Sequence, residues 1–372
     1  MKILVTGASG FIGSFLCEKG HERGDEVWAG MRLHSSKRHL QGDWVNFITL
    51  QLDNEALLRE QLLAWKERYG RWDAIIHAGG VTKCLRREDF DRNNFDCTRH
   101  LVNALIHLDM VPGIFVYVSS LSVTGPIKEK KVKTHPLTPL HSDPYATDDF
   151  IGKYTVEQSV YEEITDSDEP HPNTAYGISK LKSERFLHSL KDFPYVIMRP
   201  TGVYGPREKD YLMMAESIKK HMDFSVGYQP QEITFVHVHD LVGVIYAAID
   251  RRREELSRHE EHSELLGKAF FVTDGYVYYS RAFSDLIQHT IGVKGVVHIK
   301  APLFVLRSVS FMAESFSKLR KKASTLNGDK YKIMKQRNWQ CDIRPMIDIL
   351  HYHPQWNLQR GVEETFGSLA AH

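Results

Sequence analysis

The sequence predicts an α/β fold: a doubly wound parallel sheet with a smaller second lobe. Three observations point there. A glycine-rich turn, TGASGFIG at residues 6–13, joins a buried-strand pattern to a helical one. Short apolar runs then alternate with amphipathic helical patterns, the signature of a parallel sheet with right-handed crossovers. The chain has 372 residues, too many for one small core and suited to one large α/β domain or two unequal lobes.

The first strand and its turn come from KILVTGASGFIGSFLCEKG. Gly7 permits a tight turn, Gly10 lets a pyrophosphate approach the backbone, and Gly13 lets the helix pack closely on the strand. Free N–H groups at the helix start then face the phosphates. DEVWAGMR at 25–32 reads as the second strand. Where an acid would hold the ribose 2′-hydroxyl of NAD, the chain has Arg32, with Lys37 and Arg38 behind it. An arginine fork suits a 2′-phosphate, so NADP(H) is expected ahead of NAD(H).

FITLQLDN and WDAIIHAGG read as further strands, separated by the helical EALLREQLLAWKERY; RHLVNALIHL continues the alternation. Asp53 is placed to accept from an adenine amino group. His77, Ala78, Gly79 and Gly80 would let a cofactor lie against the backbone. IFVYVSSLSVTG is the next strand, ending in serines. Downstream, in PNTAYGISKLKSERFL, Tyr176 and Lys180 stand four apart and share a helix face.

In combination, TGASGFIG, HAGG, NNFDCTRHLV, VYVSSLSVTG, YGISK and MRPTGVYGP resemble the extended short-chain dehydrogenases/reductases over most of residues 1–250. The resemblance implies a Rossmann-type domain over 1–200, with 235–273 returning to it. Residues 201–234 and 274–372 would form a mainly C-terminal substrate lobe. It puts the catalytic hydroxyl on Ser120, ahead of a neighbouring serine, the general acid/base on Tyr176, its helper on Lys180 and a supporting role on Asn94. Cofactor contacts carry over to Gly7, Ser9, Gly10, Phe11, Ile12, Gly13, Arg32, Asp53, His77, Ala78, Gly79, Tyr176, Lys180, Pro200 and Val203. A free phenol titrates near pH ~10, and an ammonium about 4 Å away could lower it by about three units, less whatever burial restores.

The resemblance leaves two substrate classes open. Sugar-nucleotide epimerases and dehydratases of this kind carry a diphosphate-binding arginine in the segment written here EITFVHVHDL, where this chain has Ile233 and Thr234. Arg207 or Arg344 could substitute. The tail through GVEETF is similar to dihydroflavonol-reductase-like and 3β-hydroxysteroid-dehydrogenase-like enzymes, which act on secondary alcohols or ketones of bulky apolar molecules. That class is preferred, with the nucleotide-sugar class as alternative and a non-catalytic dinucleotide-binding module as a further one. A homodimer is expected by analogy.

Composition narrows the rest. A net charge of +1 gives no electrostatic case for nucleic acid. Cys17, Cys84, Cys97 and Cys341 form no CxxC pair, which suits a reducing, cytoplasmic setting, and no signal peptide is expected. APLFVLRSVSFMAESF at 301–316 falls short of the ~20 residues a membrane span needs and contains Arg307; the following KLRKK permits weak membrane-surface contact. The histidine pairs His237/His239 and His351/His353 lack further ligands nearby in sequence, and no metal is expected. The stretch 127–165, basic then acidic and rich in proline, is expected to cover the substrate entrance, with a short helix or strand in YTVEQSVYEE.

Overall fold

Alternation along the strands decides the architecture. In β1 (Lys2–Thr6), Ile3 and Val5 join one core cluster and Leu4 joins another. A strand buried on both faces reads as a continuous apolar run, as these do. The computed structural model describes residues 1–138, 140, 143–260, 262–303 and 328–370. The apolar run from 304 onward and KLRKK lie outside the described residues.

After β1 come α1 (Phe11–Glu22), β2 (Glu26–Met31), β3 (Asn46–Thr49), α2 (Glu55–Tyr69) and β4 (Ala74–His77). A short α3 (Arg87–Phe90) runs through a π-helical turn, Asp91–Asp96, into α4 (Cys97–His107), and β5 (Ile114–Val118) follows. A long excursion holds β6 (His135–Pro136), α5 (Asp148–Tyr154) and β7 (Gln158–Ser159) before α6 (Ala175–His188) and β8 (Tyr195–Pro200). Next are β9 (Gly202–Tyr204), α7 (Lys209–Lys219), β10 (Met222–Val226), β11 (Glu232–Ile233), β12 (Phe235–His237) and α8 (Val238–Ser257). The chain continues through β13 (Ala269–Val272), β14 (Tyr278–Tyr279), α9 (Ala282–Ile291), β15 (Val297–Ala301), α10 (Gly328–Lys335), α11 (Arg344–Leu350) and α12 (Leu358–Phe366).

The expected sheet is present: seven parallel strands in the order β13-β8-β5-β4-β1-β2-β3. Strand order reverses between β1 and β4, where a crevice opens at the carboxyl ends. Thr6, Gly30, His77 and Tyr117 lie in register along that edge. On one face, Phe15 and Leu16 of α1 and Val244, Ile245 and Ala248 of α8 close the core. On the other, Leu58, Leu62 and Trp65 of α2 pack with Leu101 and Leu105 of α4. Burying such side chains stabilises by roughly 1.5–3 kcal/mol each. A third cluster, rich in aromatics, holds Tyr204, Phe235, Tyr278, Phe283 and Phe366 together.

The excursion between Ser120 and Tyr176 is anchored at several points. Its neck closes where the His171 N–H donates to the Thr124 carbonyl (2.9 Å). Val156 N–H donates to Val277, Ile164 N–H to Gln340, and Phe150, Tyr161 and Ile164 are buried. Buried Glu232 accepts from the Ser159 hydroxyl (2.6 Å), the Val160 N–H and the Gln340 amide. Residues from Phe150 to Ile164 are thus packed into the fold, whereas the described residues of 133–149 are mostly exposed. The helix-or-strand expectation in YTVEQSVYEE resolves into the end of α5 and the short β7.

Candidate active site

Glycine geometry shapes the start of α1. Gly7 has φ +70°, and a Cβ there would press on the Gly79 backbone at 2.7 Å. A Cβ on Gly13 would collide with the Gly7 carbonyl. Gly10 precedes α1 with no side-chain cap, and the first turn holds no acid. Uncapped N–H groups at a positive helix end, beside a glycine-lined turn, fit a pyrophosphate. Ser9, Phe11 and Ile12 lie in the same turn, half-buried.

His77 pins this turn to β4. The Thr6 hydroxyl is 2.6 Å from His77 Nδ1, and His77 Nε2 is 2.9 Å from Thr98 Oγ1. Thr98 donates its own proton to the Asn94 carbonyl (2.6 Å), so Nε2 carries the imidazole proton and Thr6 donates to Nδ1. Burial, aided by Lys180, pushes His77 down to about 3, so the ring is neutral. Its side chain is committed to this chain of bonds, which leaves only its backbone to face the crevice.

Asn94 sits in the π-helical turn, a device frequent at functional sites. Its side chain pairs both ways with the Val81 backbone, accepting at 2.8 Å and donating at 3.1 Å, and donates to Ser179 Oγ at 2.9 Å. Ser179 in turn donates to the Tyr176 carbonyl (2.8 Å). Asn94 therefore ties the loop after β4 to the first turn of α6.

Helix α6 starts where the Thr174 hydroxyl accepts from Gly177 N–H (3.0 Å), and Asp329 of α10 accepts from Ala175 N–H (2.6 Å). Half-buried Tyr176 and buried Lys180 and Glu184 recur every four residues along one face. Ser120 stands two residues after β5; its hydroxyl accepts from Ser122 N–H (3.1 Å) and favours the ionised form of the Tyr176 phenol. Burial pushes Tyr176 up to about 12, with Ser120 pulling the other way. Lys180 donates to the Val118 carbonyl (2.8 Å) and lies 4.8 Å from the Tyr117 ring centroid. Burial pulls Lys180 down to about 8, against the opposing pull of Glu184. The expected depression of the phenol by Lys180 is therefore corrected. The ammonium is engaged with Val118 and Tyr117, desolvation dominates at the phenol, and Ser120 is the group that offsets it.

Glu184 and Arg199 were not singled out from the sequence. Glu184 accepts from Arg199 Nε (3.1 Å) and Nη2 (2.6 Å) and from the Ser119 hydroxyl (2.5 Å), all buried. A glutamate one further turn beyond Lys180 was the available signal.

The remaining candidates are spread along the crevice. Exposed Arg32 and Asp53 follow β2 and β3, and both act through space on the Cys97 thiol, which burial raises to about 12. Pro200 ends β8, and Val203 lies on β9, half-buried. Arg207 is held by Ser14 (2.9 Å) and Glu18 (2.8 Å); Arg344 is held by Asp342 and Glu163. The Thr234 hydroxyl donates to the Trp339 carbonyl (2.7 Å).

His237 and His239 do not share a strand: His237 ends β12 and His239 lies in the first turn of α8. Both approach Glu364, at 3.4 and 3.8 Å, and both pack on Trp356. Among the described residues, no group of three or more His, Cys, Asp or Glu is placed to hold a metal ion.

Residues 3–260 match the NAD dependent epimerase/dehydratase family. An uncharacterized UDP-glucose epimerase of Bacillus subtilis (strain 168), YtcB, is 25% identical over 396 residues, covering 100% of this chain and 98% of that one. A UDP-glucose 4-epimerase of Klebsiella pneumoniae is 35% identical over 141 residues, 34% of this chain and 93% of the relative. Among solved structures, the UDP-glucose 4-epimerase of Thermotoga maritima has a TM-score of 0.67 at 18% identity, covering 98% of this chain and 97% of that one. The dTDP-glucose 4,6-dehydratase of Bacillus anthracis, in complex with NAD, also has 0.67, at 15% identity, covering 98% and 95%. At such identities the structural likeness speaks for the fold.

Proposed function

This chain belongs to the NAD dependent epimerase/dehydratase family, and from that premise we propose hydride transfer between a nicotinamide dinucleotide and a secondary alcohol or ketone carbon. The observation that carries the reading is Tyr176 and Lys180 one turn apart on α6, with Ser120 acting on the Tyr176 phenol and the Lys180 ammonium against Gly80 of the loop after β4. The dinucleotide supplies the hydride chemistry when bound. Ser120 orients the substrate oxygen, and Tyr176 exchanges a proton with it. Lys180 contributes a positive charge and a donor at the inner wall of the crevice, and Asn94 is a positioning residue.

Residues 1–200 with 235–273 are read as the nucleotide-binding part, and 201–234 with 274–372 as the substrate lobe. NADP(H) remains the preferred cofactor, on the strength of Arg32 at the end of β2. Steady-state kinetics with NADPH and NADH test this: a clear preference for NADH removes it. A cytoplasmic homodimer completes the reading; the four cysteines are free thiols. Light scattering tests the dimer.

The names of the relatives favour a second reading, a nucleotide-sugar epimerase or dehydratase. Against it stand Ile233 and Thr234 in place of an arginine, and the commitment of Arg207 and Arg344 to carboxylates. Thermal shift with uridine and thymidine diphosphate sugars, run beside a ketone and steroid activity panel, separates the two. Stabilisation by a sugar nucleotide, with no turnover of simple ketones, would decide for the second.

A further inference from the structure

The two-stranded parallel ribbon of β10 and β15 has faces of opposite character. Its inner face carries Asp223, buried, which His298 approaches at 2.9 Å and the Ser284 hydroxyl at 3.3 Å. Its outer face carries Met222 beside Val297 and Phe224 beside Ile299, in register. Those four side chains are 39–60% exposed, and Tyr228 just beyond them is 70% exposed. A contiguous group of large exposed apolar side chains on a soluble lobe marks an interaction surface.

Charge says what kind of surface it meets. The segments 219–228 and 294–301 hold four lysines, Lys219, Lys220, Lys294 and Lys300, all exposed. Their one acid is Asp223, turned inward. Lys219 and Lys220 precede β10, and Lys294 stands three residues before β15, so three cations gather at one end of the apolar face. The His221 ring lies 3.0 Å from the Lys294 carbonyl, holding the two strand entrances together. Pairing this face with itself about a two-fold axis along the strands would bring the same lysines together. An apolar face rimmed by cations instead matches an acyl boundary beneath anionic headgroups. In sequence, the residues that leave the ribbon at 302–322 read PLFVLRSVSFMAESFSKLRKK, again apolar and then basic.

We propose that the outer face of the β10–β15 ribbon docks the protein peripherally on an anionic lipid bilayer, with Phe224 and Ile299 at the acyl boundary and Lys220 and Lys294 among the headgroups. Helix α7 runs from the mouth of the crevice to this ribbon, about 16 Å for its 11 residues. Its first turn holds Asp210, which binds Lys83 from the loop after β4 (2.6 Å).

The full-length protein is sedimented with phosphatidylcholine vesicles and with vesicles that also contain about one-third phosphatidylglycerol. Binding to the anionic vesicles alone is expected, weakened by salt. Each of Lys220→Glu and Lys294→Glu should lower the apparent affinity roughly fivefold or more. Phe224→Ser with Ile299→Ser should abolish sedimentation at unchanged melting temperature. Phe224→Trp gives a readout that keeps the native lobe: its emission should shift to the blue when anionic vesicles are added. Absence of sedimentation with the anionic vesicles overturns the proposal. So does full binding by the serine variants, or a dimer that those variants dissociate in the absence of lipid.

Discussion

The Ser119 hydroxyl donates to the Glu184 carboxylate at 2.5 Å, which commits one of the two serines that follow β5 and leaves Ser120 to face Tyr176. The choice between adjacent hydroxyls is thus made by a residue 65 positions away, through a carboxylate already bound twice by Arg199.

Tyr176→Phe removes the group proposed to exchange the proton. Turnover should fall by ~10²–10⁴, while dinucleotide affinity, followed by tryptophan fluorescence, stays within a few-fold. Near-normal turnover would remove Tyr176 from the chemistry.

Ser120 acts against burial at the phenol, so its loss has a sign. In Ser120→Ala the phenol should titrate still higher than about 12, and the pH profile of alcohol oxidation should move to higher pH. Ser119→Ala should leave that profile in place. The same displacement in both variants would show that the two hydroxyls are not distinguished.

Lys180 pays for its position in stability. Its pKa falls from 10.5 to about 8, so between those values the unfolded chain keeps a proton that the folded one has released. Stability therefore rises with pH across that window, and the full penalty is present below about 8. Lys180→Met should be more stable than the wild type at pH 7 by up to about 3 kcal/mol, less what the Val118 carbonyl loses. Denaturant melts should show the gap closing as pH passes 10. A variant less stable at pH 7 would contradict this.

Glu184 and Arg199 are a buried pair, with side chains 1% and 8% exposed. Glu184→Gln strands a buried guanidinium and should cost about 3–5 kcal/mol. Glu184→Leu combined with Arg199→Met should recover most of that in thermal melts. If the double variant is as unstable as the single one, the cost lies elsewhere.

What could be read from the sequence was local. Gly7, Gly10 and Gly13 announce themselves by spacing, and so do Tyr176 and Lys180 at one helical turn. The alternation of Ile3, Leu4 and Val5 is enough to give a strand buried on both sides. What escaped depends on distant partners: Thr6 and Thr98 on His77, Glu184 on Ser119, and Asp329 on Ala175 across 154 positions. The direction of the Tyr176 shift is hidden from the sequence for the same reason. Helical spacing places an ammonium within reach but does not say that it turns to Val118, nor how dry the phenol becomes.

The bond from His171 to Thr124 has an evolutionary corollary. It works like a drawstring: the exposed stretch beyond it, 133–149, can lengthen, shorten or change composition while Ser120 and Tyr176 keep their places. Doubling a flexible loop costs only about 0.6 kcal/mol in closure entropy. New recognition surface can therefore be added between two reacting groups without renegotiating the chemistry they share.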